Sequence, residues 1–253
     1  MENKILIIPD VHCRKFFNDA IKNNIDNVSK VVFLGDYVDP YPTDTMEMYD
    51  DPIECLEDII KIKKDLKEKC ILLLGNHICH YVWNEFPIST RYNNINSKDY
   101  YTLIKNNIEL FNLTWVENDI IFSHAGITDF WANEVWETLE FPEDELVDKK
   151  VVAEVFRDTP IKNFSPLYIN LIGMIGRIRG GYYKTGSCEW ADIREHITKV
   201  NGAGQIIPKE YDYYQVFGHT YIKKPLIFDT WACLDCGGKA FIIDCNTHKI
   251  NEC

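Results

Sequence analysis

Asp10, His12, Asp36, Asn76, His124 and His219 offer carboxylate, amide and imidazole donors, and each stands where a short apolar run ends. Asp10-x-His12 closes Ile5-Leu6-Ile7-Ile8-Pro9, and Asp36 follows Val31-Val32-Phe33-Leu34-Gly35. Asn76 and His77 follow Ile71-Leu72-Leu73-Leu74-Gly75, His124 follows Ile120-Ile121-Phe122-Ser123, and His219 follows Val216-Phe217-Gly218. Singly, each is as well a turn residue, a helix N-cap or a hydrogen-bonded core histidine. Five such strand ends in one chain read as one metal site distributed along most of its length.

Continuous apolar runs rich in Val and Ile are what strands covered on both faces look like. Polar residues at the carboxyl ends of such strands lie where α/β sheets place their ligands. The first half predicts a strand at 4–8, a helix near 15–25, a strand at 30–34, a turn-rich segment at 39–44, a helix over 52–68 and a strand at 70–74. This is a βαβαβ unit with right-handed crossovers. In the second helix Ile53, Leu56, Ile59, Ile60, Ile62 and Leu66 recur at helical spacing. Further strands are expected at 113–123, 212–217, 225–229 and 239–244, the last ones paired antiparallel across short turns. Residues 128–205 carry helical patterns (131–139 and 144–156) and then a glycine-rich stretch from Gly173 to Gly181. We read them as a lid inserted over the site within a single domain of residues 1–253, because His219 lies beyond them. The fold class is α/β.

A chain of 253 residues with 46% apolar content supports a full core. The net charge of −12 leaves no broad basic surface for nucleic acid. Nine cysteines without a disulfide rhythm, no signal-peptide pattern and no bilayer-length apolar stretch imply a soluble, cytoplasmic protein with no membrane partner. Cys233-x-x-Cys236 lacks the second pair that a structural zinc site needs.

Asp10-x-His12, Gly35-Asp36-x-x-Asp39, Gly75-Asn76-His77, Ser123-His124-Ala-Gly126 and Gly218-His219-Thr220 together resemble the ordered motifs of the calcineurin-like metallophosphoesterases. Phe33-Leu-Gly-Asp36-Tyr-Val-Asp39 is most similar to the phosphoprotein phosphatase (serine/threonine phosphatase-like) branch. Glu189-Trp190-Ala-Asp192 resembles the tryptophan-bearing segment before that branch's last metal histidine. The resemblance spans residues 10 to about 244. It implies two packed mixed β-sheets flanked by helices, and two divalent ions (Mn, Fe or Zn) held by Asp10, His12, Asp36, Asn76, His124 and His219. Strand residues two apart share a face, which would put Asp10 and His12 on one ion. The two oxygens of Asp36 would bridge both ions, about 3.5–4 Å apart, around a shared hydroxide. His77 is implied as general acid and Asp39 as its partner, and the substrate is a phosphorylated molecule.

The motifs also depart from that branch. Asp39 is followed by Pro40-Tyr41 instead of the Arg-Gly whose arginine contacts phosphate, and Asn76-His77 is followed by Ile78 instead of an acid. Arg177 and Arg179, flanked by glycines, are the candidate replacements, with Arg91 and Arg194 further candidates on no stronger ground. His80, just after His77, reads as structural, as do His196 and His248. Trp131, Trp136, Tyr182 and Tyr183 would serve a partner, a nucleobase or the core. The leading function is a phosphomonoesterase. Dinucleoside-polyphosphate hydrolysis, phosphodiester hydrolysis and a non-catalytic metal-bound scaffold are the alternatives.

Overall fold

The computed structural model describes residues 3–200 and 205–253. Residues 201–204, part of the expected 128–205 insertion, therefore lie outside the described residues, as do residues 1 and 2. The chain opens as β1 (Lys4–Ile8), α1 (Phe16–Asn24), β2 (Lys30–Phe33), α2 (Pro52–Leu66), β3 (Cys70–Leu73), α3 (Asn76–Val82), α4 (Ser97–Lys105) and β4 (Phe111–Asn112). A hairpin, β5 (Thr114–Glu117) and β6 (Ile120–Ser123), turns at Asn118, whose φ is 57°. Three helices follow: α5 (Asp129–Thr138), α6 (Lys149–Asp158) and α7 (Pro166–Ile172). The chain ends as β7 (Ile197–Val200), β8 (Ile206–Pro208), β9 (Tyr214–Phe217), β10 (Leu226–Ile227), β11 (Trp231–Cys233), β12 (Phe241–Asp244) and β13 (Ile250–Glu252).

Two mixed sheets result, in the orders β13-β12-β1-β2-β3-β4 and β10-β11-β9-β6-β5. β1 to β4 are parallel, as the βαβαβ reading requires. Antiparallel pairing holds for β12–β13 and β10–β11. It fails for the strand expected at 212–217, because β9 lies parallel to both β6 and β11. β11 itself is too short to show a period in sequence, and its strand geometry comes from the neighbours on either side.

The alternation of β1 shows why these runs are apolar throughout. Ile5 and Ile7 pack between the sheets with Val32, Ile71, Phe122 and Val216, while Leu6 and Ile8 face the other way into a second core with Phe17, Leu56 and Ile59 from α1 and α2. α6 covers the far side of β5, where Thr114 Oγ1 donates to the Ala153 carbonyl at 2.6 Å. The helix-rich 128–205 segment thus sends α5 and α6 into the core through Trp131, Val152 and Phe156, whereas residues 188–192 reach the strand ends where the site lies. Local signals set the ends of α2: the Asp51 carboxylate accepts from Ile53 N, Pro52 occupies the first turn, and Lys67 leaves with a positive φ of 52°.

His196 is a core histidine. It is fully buried, with Nδ1 2.8 Å from Tyr211 Oη and Nε2 3.1 Å from the Ala125 carbonyl. Burial lowers its pKa to about 3. The unfolded chain then binds a proton near pH 6.5 that the native chain refuses until about pH 3, so stability rises with pH across that window. From this group alone the slope is about 1.4 kcal/mol per pH unit. Urea unfolding of His196→Gln between pH 4 and 7 should show a shallower pH dependence than the parent. An unchanged slope would mean His196 is not a buried neutral group.

Candidate functional site

All five strand ends open at one edge of the sandwich, and the backbone there is unusual. His12, Asp36, Asp39, Arg91 and His219 all have φ between 45° and 65°. Left-handed non-glycine residues cost free energy and cluster where structure serves a site. Two glycines make room for the carboxylates. A Cβ on Gly75, whose φ is +87°, would lie 2.4 Å from Asp36 Oδ1, and a Cβ on Gly218 would lie 2.2 Å from Asp10 Oδ1.

Asp10, His12 and Asp36 form one donor group, and Asp36, His124 and His219 a second, each with its candidate atoms within 4.8 Å of one another. Asp36 is common to both. Its Oδ2 lies 3.7 Å from His12 Nε2 and 3.4 Å from His124 Nε2, while Oδ1 accepts from His77 N at 2.9 Å. The other imidazole nitrogens are occupied: His12 Nδ1 is 2.9 Å from the Val38 carbonyl and His124 Nδ1 is 2.9 Å from the Leu34 carbonyl. Each carbonyl thus holds a proton on Nδ1 and turns Nε2 inward, the orientation of metal-ligating histidines whose other nitrogen is held by a backbone carbonyl. Asn76 is oriented likewise, since Nδ2 donates to Ser89 Oγ at 2.6 Å and Oδ1 lies 3.0 Å from His124 Nε2. His219 Nδ1 completes the group at 3.1 Å from His124 Nε2. All six sequence candidates thus converge.

The donors fit cations on two counts. Asp10 Oδ2 is buried without a hydrogen-bond partner, a costly state for a polar atom. The charges are also crowded. Burial raises the Asp10 carboxyl to about 6, with the nearby Asp36 carboxylate adding to it. Burial would raise Asp36 too, but His124 and His77 hold it well below the usual range. Burial would depress His124, yet the carboxylates of Asp36 and Asp10 lift it to about 10. Burial lowers His12 to about 3 and lowers His219 strongly, Arg179 reinforcing the latter.

His77 and Asp39 sit beside this cluster. His77 Nδ1 is 2.8 Å from Asp39 Oδ2, and the Tyr81 hydroxyl donates to Asp39 Oδ1 at 2.5 Å. His80, structural on its sequence pattern alone, has Nε2 3.0 Å from the same Asp39 oxygen, while its Nδ1 accepts from Ser89 N at 3.1 Å. Its signal is helical spacing: His77 and His80 are three residues apart on α3 and share a face.

Arg91, one of the further candidates for the phosphate clamp, lies inside the site. Its Nη2 stands 3.5 Å from His12 Nε2 and 3.4 Å from His77 Nε2, its Nε donates to the Asp39 carbonyl at 3.0 Å, and its guanidinium lies 3.7 Å above the Tyr41 ring. Ser89, Arg91 and Asn93, the last donating to Tyr81 Oη at 2.8 Å, make the α3–α4 loop a strap across the site. Arg179 lies at the rim, bound to Asp192 Oδ2 at 2.9 Å and Thr220 Oγ1 at 2.7 Å. Arg177 is exposed on the same turn, and Arg194 is paired with Asp192. The Trp190 ring lies 6.1 Å from that of His219, and Glu189 is fully buried, its carboxyl raised to about 8 by burial. Cys233 and Cys236 belong to different core clusters, and neither is in a candidate metal group among the described residues. No helix of the described residues is long and apolar enough to cross a membrane.

Donors gathered at the strand ends of an α/β sandwich form a site that could hold metal ions. The model of one family, Calcineurin-like phosphoesterase, matches residues 3–222, and the chain belongs to that family, as a hydrolase acting on phosphoric ester bonds. No curated protein matches the sequence significantly. Among solved structures, a cold-active protein tyrosine phosphatase superposes with a TM-score of 0.56 at 15% identity, over 100% of this chain and 79% of that one. A protein serine/threonine phosphatase from Saccharomyces cerevisiae, with similarity to human phosphatase PP5, gives 0.50 at 12% identity, over 99% and 79%. Both share the fold with this chain.

Proposed function

We propose that the protein is a phosphomonoesterase of the serine/threonine-phosphatase type, working with two divalent ions (Mn, Fe or Zn). The observation that carries the proposal is the position of Asp36 Oδ2, within 3.7 Å of inward nitrogens from two separate donor groups. Asp10, His12 and Asp36 would hold one ion; Asp36, Asn76, His124 and His219 the other. When bound, such a pair lowers the pKa of a shared water toward about 7 and offsets charge on the phosphate. The chain's own groups do the rest. Asp39 holds the Nδ1 proton of His77 and would stabilise its imidazolium form, whose second proton, on Nε2, passes to the leaving oxygen. Arg91, in place of the absent arginine after Asp39, supplies a guanidinium for the phosphate oxygens. Arg179 would add positive charge at the rim beside His219, and residues 174–194 would edge the site as the part of the insertion nearest to it.

Metal-stripped protein titrated with Mn, Fe or Zn should hydrolyse para-nitrophenyl phosphate faster than bis-para-nitrophenyl phosphate. The reverse preference would reassign the enzyme as a phosphodiesterase, and tight metal binding without turnover would leave a scaffold. His77→Asn is expected to slow hydrolysis of an alkyl phosphate about 10²- to 10⁴-fold, the contribution of a positioned acid. Para-nitrophenyl phosphate should suffer far less, because its leaving group departs without a proton. Equal losses on both would remove the acid role from His77.

A further inference from the structure

We propose that the cavity beside the metal centre takes the base of a nucleoside phosphate, making a nucleoside monophosphate the substrate class. The proposal rests on the phosphoesterase reading of that centre. The cavity, of about 360 Å³, is walled by Arg14, Tyr41, Thr43, Asp44, Met46 and Tyr221. Three of these follow site residues by two positions: Arg14 after His12, Tyr41 after Asp39 and Tyr221 after His219. The loops that present the site therefore also build the cavity. Arg14 Nη1 donates to the Asp10 carbonyl at 3.3 Å, and the Tyr41 ring stands edge-on, 4.9 Å from that of His12.

The lining selects for a flat, uncharged group. Its two charges cancel, because Arg14 Nε lies 2.6 Å from Asp44 Oδ2 with both side chains less than a tenth exposed. A second phosphate would find no free cation among the described residues of this wall, so a neutral leaving group is favoured over a polyphosphate. Tyr221, 58% exposed, lies against Gly237, where a Cβ would meet its ring at 3.0 Å. Its ring and the Met46 thioether are the surfaces on which an aromatic ring stacks, the Tyr41 ring being already engaged by the Arg91 guanidinium. The Thr43 hydroxyl, with that of Thr45, offers donors and acceptors to a ring edge.

Size and position distinguish a nucleoside from a simple aryl ester. A cavity of about 150 Å³ suffices for benzene, less than half of what is found here. Tyr41 touches His12 and lines the cavity, while His12 does not line it, so the cavity starts one ring beyond the donor atoms. A ribose spans that gap, whereas the ring of a phosphotyrosine is attached to the ester oxygen itself. In the reaction water adds to phosphorus as the P–O5′ bond breaks, and O5′ takes up a proton, giving nucleoside and inorganic phosphate.

The test compares adenosine 5′-monophosphate with ribose 5-phosphate, which share a leaving alcohol and differ by the base, using the full chain loaded with manganese. A kcat/KM ratio of about ten or more in favour of the nucleotide is expected, in the range for a base stacked on an aromatic side chain. In Tyr221→Ala the ratio should fall toward one, while in Tyr182→Ala, whose ring is 92% exposed and outside the cavity, it should persist. Equal rates on the two substrates would overturn the inference and leave the phosphoesterase reading standing. So would phosphotyrosine as the better substrate with a Tyr221 dependence of its own. No turnover of any substrate, para-nitrophenyl phosphate included, would remove the parent reading. Saturation-transfer NMR with millimolar adenosine then decides the cavity independently. A transfer signal on the base protons that disappears in Tyr221→Ala supports the inference, and no signal with the parent protein overturns it.

Discussion

Asp36→Asn is expected to lower phosphoester hydrolysis by at least about a thousandfold at saturating metal, because one ion can no longer do the work of two. The substitution keeps shape and the Oδ1 acceptor that holds His77 N at 2.9 Å, so the local backbone should persist. What changes is Oδ2, the atom shared by the two donor groups, which becomes an amide nitrogen facing His12 and His124. Two further readouts separate this from a general loss of fold. Manganese at a hundredfold its dissociation constant should stabilise the parent by about 2.7 kcal/mol, and the variant by much less. In metal-free protein, burial depresses His124 and the Asp36 carboxylate is the largest contribution raising it to about 10. Removing that charge must lower the His124 pKa, which an NMR titration reads directly. A variant that keeps a tenth of parental turnover would rule out Asp36 as the shared ligand.

Why the donors were legible in sequence while their surroundings were not follows from where each sits. Asp10, Asp36, Asn76, His124 and His219 are tied to strand ends, and strands buried on both faces announce themselves as unbroken apolar runs such as Ile5-Leu6-Ile7-Ile8. The end of such a run fixes where the next side chain goes. Arg91 has no such marker. It lies in the Trp83–Asn96 connection between α3 and α4, its φ is 64°, and its place beside His12 is set by a bond to the Asp39 carbonyl and by the Tyr41 ring, residues some fifty positions away. His80 carried a faint mark in its spacing from His77, but its meaning depends on Asp39 arriving from another loop. The second sheet was half legible for a related reason. β9 pairs in parallel with β6 and β11, a choice made by chain routing through the 128–205 segment and not by any local period. Arg177 and Arg179 drew attention through flanking glycines, yet glycines mark a turn, and the turn holds Arg179 on Asp192 and Thr220.

Arg91→Ala should therefore cost more than any other arginine substitution in the chain. Its guanidinium lies within 3.5 Å of both His12 Nε2 and His77 Nε2, between one donor group and the proposed acid. Loss of one preorganised donor to a developing oxyanion typically costs about 10²- to 10³-fold in turnover, and kcat/KM for a monoester should fall by about that much. A diester carries about one negative charge where a monoester carries nearly two, so the same variant should lose less on bis-para-nitrophenyl phosphate. Arg91→Lys should recover only part of the loss, since an ammonium cannot reproduce the planar fork or the stacking 3.7 Å above Tyr41. Metal stoichiometry should remain that of the parent, because no atom of Arg91 belongs to either donor group that shares Asp36. Arg179→Ala, by contrast, removes a guanidinium already engaged by Asp192 and Thr220, and should change monoester kcat/KM only a few-fold. A large loss on an alkyl monoester with little loss on para-nitrophenyl phosphate in Arg91→Ala would mean the strap positions His77 instead of gripping phosphate. The two roles separate cleanly, because a positioning defect follows the leaving group and a clamp defect follows the charge on phosphorus.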